Sequence, residues 1–330
     1  MAEKTSERYR VAVLDDYEGM ADRAAAYQTL KSRADVKIHR ERLESDADLG
    51  RALQGVQAVL LVRERTRFGE KQLAAATALK LISQTGRTTV HLDVAGATRR
   101  KVAISVTPAD TGASTVELTT ALIFAVLRRI PEVDRRMRTE RWPAIAGRLF
   151  EGKTLGIVGL GRIGSQVARM AKLFNARVLA TGRTLTPERA REAGAEAAPL
   201  ERLLKESDII SIHVPLNDLT RGLIGAKEFA LMKPGAILIN TARGPIVSEA
   251  ALIEALENEK LSGAGFDVYD EEPLGMNHPL RTFENVVLLS HRGYATEEIL
   301  VERYQHAMEN ILNFFDGKPV KLINPEVLKG

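Results

Sequence analysis

The sequence predicts an α/β protein of two units, each built on a parallel sheet, with the second unit inserted into the first. Three observations predict it. Short β-rich runs alternate with longer helical stretches along almost the whole chain, the alternation restarts at a glycine-rich turn near the middle, and an amphipathic helix follows the last strand of the second series. Strands separated by helices need crossover connections, which are right-handed and leave successive strands parallel.

The first series begins at residue 10 and reads RVAVLDD, VKIHR, AVLLV, LKLISQT and KVAISVT. The segment from Ala113 to Met137 follows. Its ELTTALIFAVLRRI portion holds too many consecutive apolar residues for a helix with one wet face, so a single buried helix joining the units is expected there. The second series is KTLGIVGLG, ARVLATG, DIISIHV, GAILINTA, LSGAGFDV and NVVLLSH. In the closing helix Ile299, Tyr304, Met308, Ile311, Leu312 and Phe315 fall near one stripe, and Gly317 and Pro319 end it. That helix is expected to cross back to the first unit. The domains are therefore 1–107 plus 297–330, and 108–296.

With 330 residues, two cores of ordinary size are affordable, and 45% hydrophobic against 27% charged residues is the balance of a folded globular chain. The absence of cysteine excludes disulfides, thiolate metal sites and thiol nucleophiles. No histidine or carboxylate spacing suggests a metal site. MAEKTSERYR is no secretory signal and no run of about 18 apolar residues occurs, so a soluble, cytoplasmic protein without a membrane partner is expected. The net charge of +4 is spread among acids, and the densest cluster, Arg128, Arg129, Arg135, Arg136, Arg138 and Arg141, is interrupted by Glu132, Asp134 and Glu140. It reads as a solvated helical face rather than a nucleic-acid surface.

GLGRIG carries the first chemistry. Gly159, Gly161 and Gly164 permit a tight turn, close approach of a pyrophosphate and close packing of helix on strand, with the amides of Arg162 and Ile163 at the helix start. A strand before it and a helix after it make this a dinucleotide site. GRLFEGKT, residues 147–154, matches the spacing of a nucleoside-triphosphate loop but enters a strand instead of a helix, so the match is read as chance. The next strand, VLATGRT, lacks the acid that accepts hydrogen bonds from an NAD ribose. Gly182 stands in its place, followed by Arg183 and Thr184, a cation and a hydroxyl suited to a 2'-phosphate. NADP is therefore preferred over NAD, the other reading being that Arg183 lies on the adenine and tolerates both.

Arg243, Glu272 and His291 each follow a strand end of the second series, and such segments line one crevice in an open parallel sheet. Hydride transfer to a 2-keto acid needs a cation for the carboxylate, an acid for the forming alkoxide and a group fixing the tautomer of that acid, roles that suit arginine, histidine and glutamate. His213, also at a strand end, is the rival acid, and His278 reads as structural.

NTARGPIV, GFDVYDEEPL, NHPL and SHRGYATEE together resemble the signature segments of the D-isomer-specific 2-hydroxyacid dehydrogenases, over nearly the whole chain. That resemblance implies two Rossmann-like domains, the first a flavodoxin-like substrate domain, and a homodimer. It also implies that Arg243 binds the substrate carboxylate and carbonyl, His291 is the acid/base, Glu272 is its partner and Asp267 meets the nicotinamide end. Related formate dehydrogenases pair the histidine with Gln, which Glu272 opposes. The chain departs from the family in QTGRTTVHLD, where the carboxylate-holding turn carries over only to the backbone of Gly86, Arg87 and Thr88, and in SHRG, where Ser290 and Arg292 replace a proline and an apolar residue.

The resemblance makes glyoxylate or hydroxypyruvate the expected substrate, because the TGR stretch is similar to NADP-using reductases of those acids. D-3-phosphoglycerate is the alternative, given Arg63, Arg65 and Arg87 in first-domain loops. From another class, an NAD(H)-sensing corepressor-like protein would share the fold without fast turnover.

Overall fold

The computed structural model describes residues 8–43, 45–108, 112–139 and 142–329. Glu140 and Arg141 of the basic cluster lie outside the described residues. The chain divides into two compact units, 1–111 with 296–330, and 112–295.

The first unit alternates β1 (Tyr9–Val13), α1 (Ala25–Arg33), β2 (Ala34–Ile38), α2 (Asp46–Ala52), β3 (Ala58–Val62), α3 (Glu70–Ala75), β4 (Leu81–Thr85), α4 (Val94–Arg99) and β5 (Ala103–Val106). Its strands form one parallel sheet in the order β2-β1-β3-β4-β5. The AVLLV run of β3 is buried along its whole length, as a strand covered by helices on both faces must be. Leu49, Leu53, Phe68 and Leu73 pack on one face of the sheet.

The second unit opens with α5 (Ala113–Leu127) and α6 (Ile130–Thr139). The single joining helix expected from sequence is thus two helices, and α5 packs within the second unit through Leu122, Ile123, Val126 and Leu127. The break has a local cause. Arg129 adopts a left-handed backbone (φ +51), and Pro131, which has no N–H to donate, sits where a new helix begins rather than inside an old one. Along α6 the cations meet acids: Arg138 pairs with Asp134 at 2.9 Å, Arg135 and Arg136 with Glu284 at 2.8 and 3.0 Å, and Arg129 with Glu132 at 2.6 Å.

There follow β6 (Thr154–Val158), α7 (Arg162–Leu173), β7 (Arg177–Thr181), α8 (Pro187–Glu192), β8 (Glu196–Ala197), α9 (Leu200–Glu206), β9 (Ile209–Ile212), α10 (Ala226–Leu231), β10 (Ala236–Asn240), α11 (Glu249–Glu257), β11 (Leu261–Phe266) and β12 (Val286–Leu288). All seven strands are parallel in the order β12-β11-β10-β9-β6-β7-β8. Among them β8, two residues long, has no counterpart in the sequence reading. Residues 147–153 carry no helix and lead straight into β6, so GRLFEGKT lacks the geometry of a phosphate loop.

The last helix, α12 (Glu297–Phe315), returns to the first unit. Its buried stripe centres on Leu300, Tyr304, Ala307, Met308 and Ile311, the last four packing with Val11, Val13, Leu60 and Leu81, while Ile299, Leu312 and Phe315 are only partly buried. Ser83 Oγ donates to the Ala307 carbonyl at 2.8 Å, tying helix to sheet. Among the described residues no helix is long and apolar enough to cross a membrane.

Candidate active site

In the second unit the strand order reverses between β6 and β9, and the segments leaving the carboxyl ends of the strands there border a crevice. Gly159 has φ +104, and a Cβ on it would stand 2.8 Å from the carbonyl oxygen of His213, the residue leaving β9. A Cβ on Gly164 would collide with the Gly159 carbonyl and approach Ile157 to 3.1 Å, so α7 packs directly on its strand. In front of Gly161 a Cβ would meet nothing within 4 Å. No side chain caps α7, which leaves the amides of its first turn, Arg162, Ile163 and Gly164, as donors for an anion. This cradle fits a dinucleotide pyrophosphate.

Beside it, Thr181 at the end of β7 is in register with Val158, and its carbonyl accepts from the Gly159 amide at 2.9 Å. Gly182, Arg183 and Thr184 follow, all exposed, and the Arg189 guanidinium reaches back to the Thr184 carbonyl at 3.0 Å. Two cations therefore border the position where an acid was expected.

On the other side of the reversal the loops after β10, β11 and β12 interlock. Arg243 follows β10, its backbone carbonyl accepting from Asn240 Nδ2 at 2.9 Å while its own Nη1 donates to the Ala242 carbonyl at 2.6 Å. The next residue must be glycine, since a Cβ on Gly244 would collide with the backbone of Tyr269. That close approach brings the Arg243 loop against the loop holding Glu272.

Glu272 and His291 are joined by a 2.7 Å hydrogen bond between Oε2 and Nδ1, and the other carboxylate oxygen accepts from the Tyr269 amide at 3.0 Å. Burial alone would raise the Glu272 carboxyl. The bond to His291, its charge, the Tyr269 amide and the charge of Arg243 outweigh burial and hold the group below its ordinary range. The Glu272 carboxylate thus feels both neighbours, the imidazole directly and the guanidinium through its field.

His291 has a left-handed backbone (φ +55). Immediately after it, Asp267, buried at the end of β11, accepts from the amides of Arg292 at 2.6 Å and Gly293 at 2.7 Å, one on each oxygen. Burial raises its carboxyl, and the two amides offset part of the rise. Asp267 therefore braces the His291 loop. Tyr269 adds a further tie, its hydroxyl donating to the Leu289 carbonyl at 2.6 Å.

The rival histidines are differently placed. Burial pushes the pKa of His213 down to about 4, so near neutrality its ring is uncharged and it is no ready proton donor. It contacts Ser211 Oγ at 2.9 Å. His278 caps a short turn and pairs with Glu249 at 3.0 Å.

In the first unit Gly86 leaves β4 with φ +87, and its amide already donates to Thr107 Oγ1 at 2.7 Å. Of the three backbone donors read from sequence, Gly86 is thus committed elsewhere, while Arg87 is exposed and Thr88 half-buried. Arg65 makes a two-pronged pair with Glu18 at 2.6 and 2.8 Å, and Arg63 pairs with Glu64 at 3.1 Å. Two of the three cations behind the phosphoglycerate alternative therefore already have carboxylate partners.

The sequence reading passed over Asn240, Gly244 and Tyr269, although all three lie inside segments it singled out. It also passed over three hydroxyls on α5: Ser114 Oγ and Thr115 Oγ1 each donate to the Gly293 carbonyl at 2.9 Å, and Thr119 Oγ1 meets Thr241 Oγ1 at 2.9 Å.

Comparison with known proteins places these features in a family. Residues 120–293 match the model of the D-isomer specific 2-hydroxyacid dehydrogenase, NAD binding domain. The chain is 43% identical over 267 residues to a glyoxylate reductase of Aeropyrum pernix, covering 78% of this chain and 80% of that one. It is 37% identical over 264 residues to a D-3-phosphoglycerate dehydrogenase of Archaeoglobus fulgidus, covering 79% of this chain and 50% of that one. The crystal structure of a phosphoglycerate oxidoreductase from Vibrio cholerae o395 superposes with a TM-score of 0.86 at 32% identity, over 94% of this chain and 99% of that one.

Proposed function

Because the chain belongs to the D-isomer-specific 2-hydroxyacid dehydrogenases and is an NAD-dependent 2-hydroxyacid oxidoreductase, we propose that it reduces a small 2-keto acid, glyoxylate or hydroxypyruvate, with NADPH as the favoured reductant. The observation that carries the reading is the 2.7 Å bond between His291 and Glu272 in a loop cluster that also contains Arg243.

In this proposal the amides of Arg162, Ile163 and Gly164 hold the pyrophosphate, and Arg183 and Thr184 hold the 2'-phosphate. When bound, the reduced nicotinamide supplies the hydride. Arg243 grips the substrate carboxylate through parallel N–H donors and polarises the adjacent carbonyl. The His291 Nε2 proton passes to the carbonyl oxygen as the alcohol forms, while Nδ1–H stays on Glu272, which fixes ring orientation and stabilises the charged imidazole before transfer. Asp267 lies next to that ring through the Arg292 and Gly293 amides and faces the nicotinamide end.

The names of relatives such as the Aeropyrum pernix enzyme support glyoxylate. The Glu18 and Glu64 pairings of Arg65 and Arg63 weigh against a phosphorylated substrate. We also propose a homodimer, supported by exposed apolar side chains of the second unit, Trp142, Leu149 and Leu173, and tested by sedimentation.

Initial rates with NADPH and NADH against glyoxylate, hydroxypyruvate, pyruvate, phenylpyruvate and 3-phosphohydroxypyruvate test the reading. Fast turnover of glyoxylate or hydroxypyruvate with NADPH is expected. A preference for 3-phosphohydroxypyruvate, or for NADH, would replace the corresponding part of it.

A further inference from the structure

Ser and Thr are poor choices for an apolar helix unless their hydroxyls have work to do, because they compete with the backbone for hydrogen bonds. On α5, Thr120 shows the ordinary outcome, donating to the Val116 carbonyl of its own helix at 2.8 Å. Ser114 and Thr115 do otherwise. Both leave the helix and converge on one acceptor, the Gly293 carbonyl, filling its two lone pairs. Thr119 spends its proton on the Thr115 carbonyl at 2.7 Å and so accepts from Thr241, two residues before Arg243.

The Gly293 end of the His291 loop is consequently held on both its polar groups, the carbonyl by Ser114 and Thr115 and the amide by Asp267, which also takes the Arg292 amide. The space between them is tight: a Cβ on Gly293 would lie 3.1 Å from the Asp267 carboxylate, closer than ordinary contact, and 3.5 Å from Thr115, at van der Waals distance. A left-handed histidine is strained and persists only where its surroundings over-determine it. This bracket supplies that determination for His291.

We infer that the hydroxyl face of α5 is a positioning element for the reaction, setting His291 through the Gly293 carbonyl and Arg243 through Thr241. The inference rests on the roles proposed above for those two residues. Ser114, Thr115 and Thr119 do not touch the reacting atoms; they act through the loops.

The test uses Ser114→Ala, Thr115→Val, their combination, Ser114→Ala with Thr115→Ser, and Thr119→Val. It measures kcat, KM, the pH profile of kcat, cofactor Kd and Tm, with His291→Ala alongside. A misplacement of about 1 Å costs roughly a hundredfold, so the Ser114→Ala/Thr115→Val variant is expected to lose about ten- to a hundredfold in kcat and to shift its pH profile. Its cofactor Kd should stay unchanged. Either single change leaves one hydroxyl on the carbonyl and should cost little, and Thr115→Ser in the Ser114→Ala background should restore turnover. Thr119→Val should raise KM for the keto acid more than it lowers kcat, because it acts through Arg243.

If the Ser114→Ala/Thr115→Val variant folds, binds cofactor and keeps the wild-type kcat and pH profile while His291→Ala is inactive, the inference falls and the proposed mechanism stands. If His291→Ala is itself active, the mechanism falls first. Where the combined variant does not fold, Thr119→Val decides, and an unchanged KM overturns the inference.

Discussion

Replacing Glu272 with glutamine isolates the charge of the dyad from its shape. The carboxylate faces two donors, His291 Nδ1–H at 2.7 Å and the Tyr269 amide at 3.0 Å, and accepts both. An amide has one acceptor for these two donors. If its oxygen keeps Tyr269, its NH2 meets Nδ1 and selects the tautomer protonated on Nε2, which leaves no base for the oxidative direction and opposes the charged imidazole needed for reduction. If it flips, the loop loses the Tyr269 tie. A hydrogen bond to a charged group contributes about 1.5 to 3 kcal/mol, or roughly ten- to 150-fold in rate. The Glu272 side chain is 35% exposed, which screens the charge and favours the lower half of that range. Steady-state rates of keto-acid reduction between pH 5 and 9 should therefore show Glu272→Gln losing about ten- to thirtyfold in kcat with the NADPH Kd unchanged. Wild-type kcat across the range would refute the assignment of Glu272 as the partner of the acid.

Three further outcomes are expected. Arg183→Ala should lower the NADPH-over-NADH ratio of kcat/KM by about one to two decades, the worth of a charge-assisted contact, and an unchanged ratio would show that Arg183 does not meet the 2'-phosphate. Gly164→Ala forces a methyl into the Gly159 carbonyl, and should cost about 1–3 kcal/mol of stability by overpacking as well as weakening cofactor binding, measured by denaturant melts and titration. Because the Glu272 carboxyl is depressed in the folded protein, its stabilising contribution is complete above its unfolded value, about 4.3, and is lost as pH falls through the lower folded one. The stability gap between wild type and Glu272→Gln should accordingly be present at pH 7 and close under acid, as read from melts at pH 7 and pH 3.

The strands were legible because a parallel strand covered on both faces must be apolar without interruption, as AVLLV and GAILIN are. The two-residue β8 carries no such signal. The break between α5 and α6 was overlooked because residues that suit a helix continue on both sides of it, although the apolar run ends at Leu127 and Ile130-Pro131 marks the restart. In the site, residues that carry charge or permit a turn could be found, since Arg, Glu, His and Gly are chemically conspicuous after strand ends. What holds them could not. Nothing local separates Ser114, whose partner lies in the loop at Gly293, from Thr120, whose partner is its own helix. Gly244 stood inside a motif already quoted, but its necessity comes from the backbone of Tyr269, a neighbour that only the folded sheet supplies.

The return of α12 to the first sheet also orders events on the ribosome. Residues Val11, Val13, Leu60 and Leu81 emerge early, yet Tyr304, Ala307, Met308 and Ile311, which cover them, emerge only after the whole second unit. At roughly 5–20 residues per second, the intervening segment of about 180 residues takes on the order of ten to forty seconds to synthesise. Throughout that interval the nascent first sheet presents an uncovered apolar face, the kind of surface chaperones bind, and the second unit is complete before the residues that cover that face have emerged.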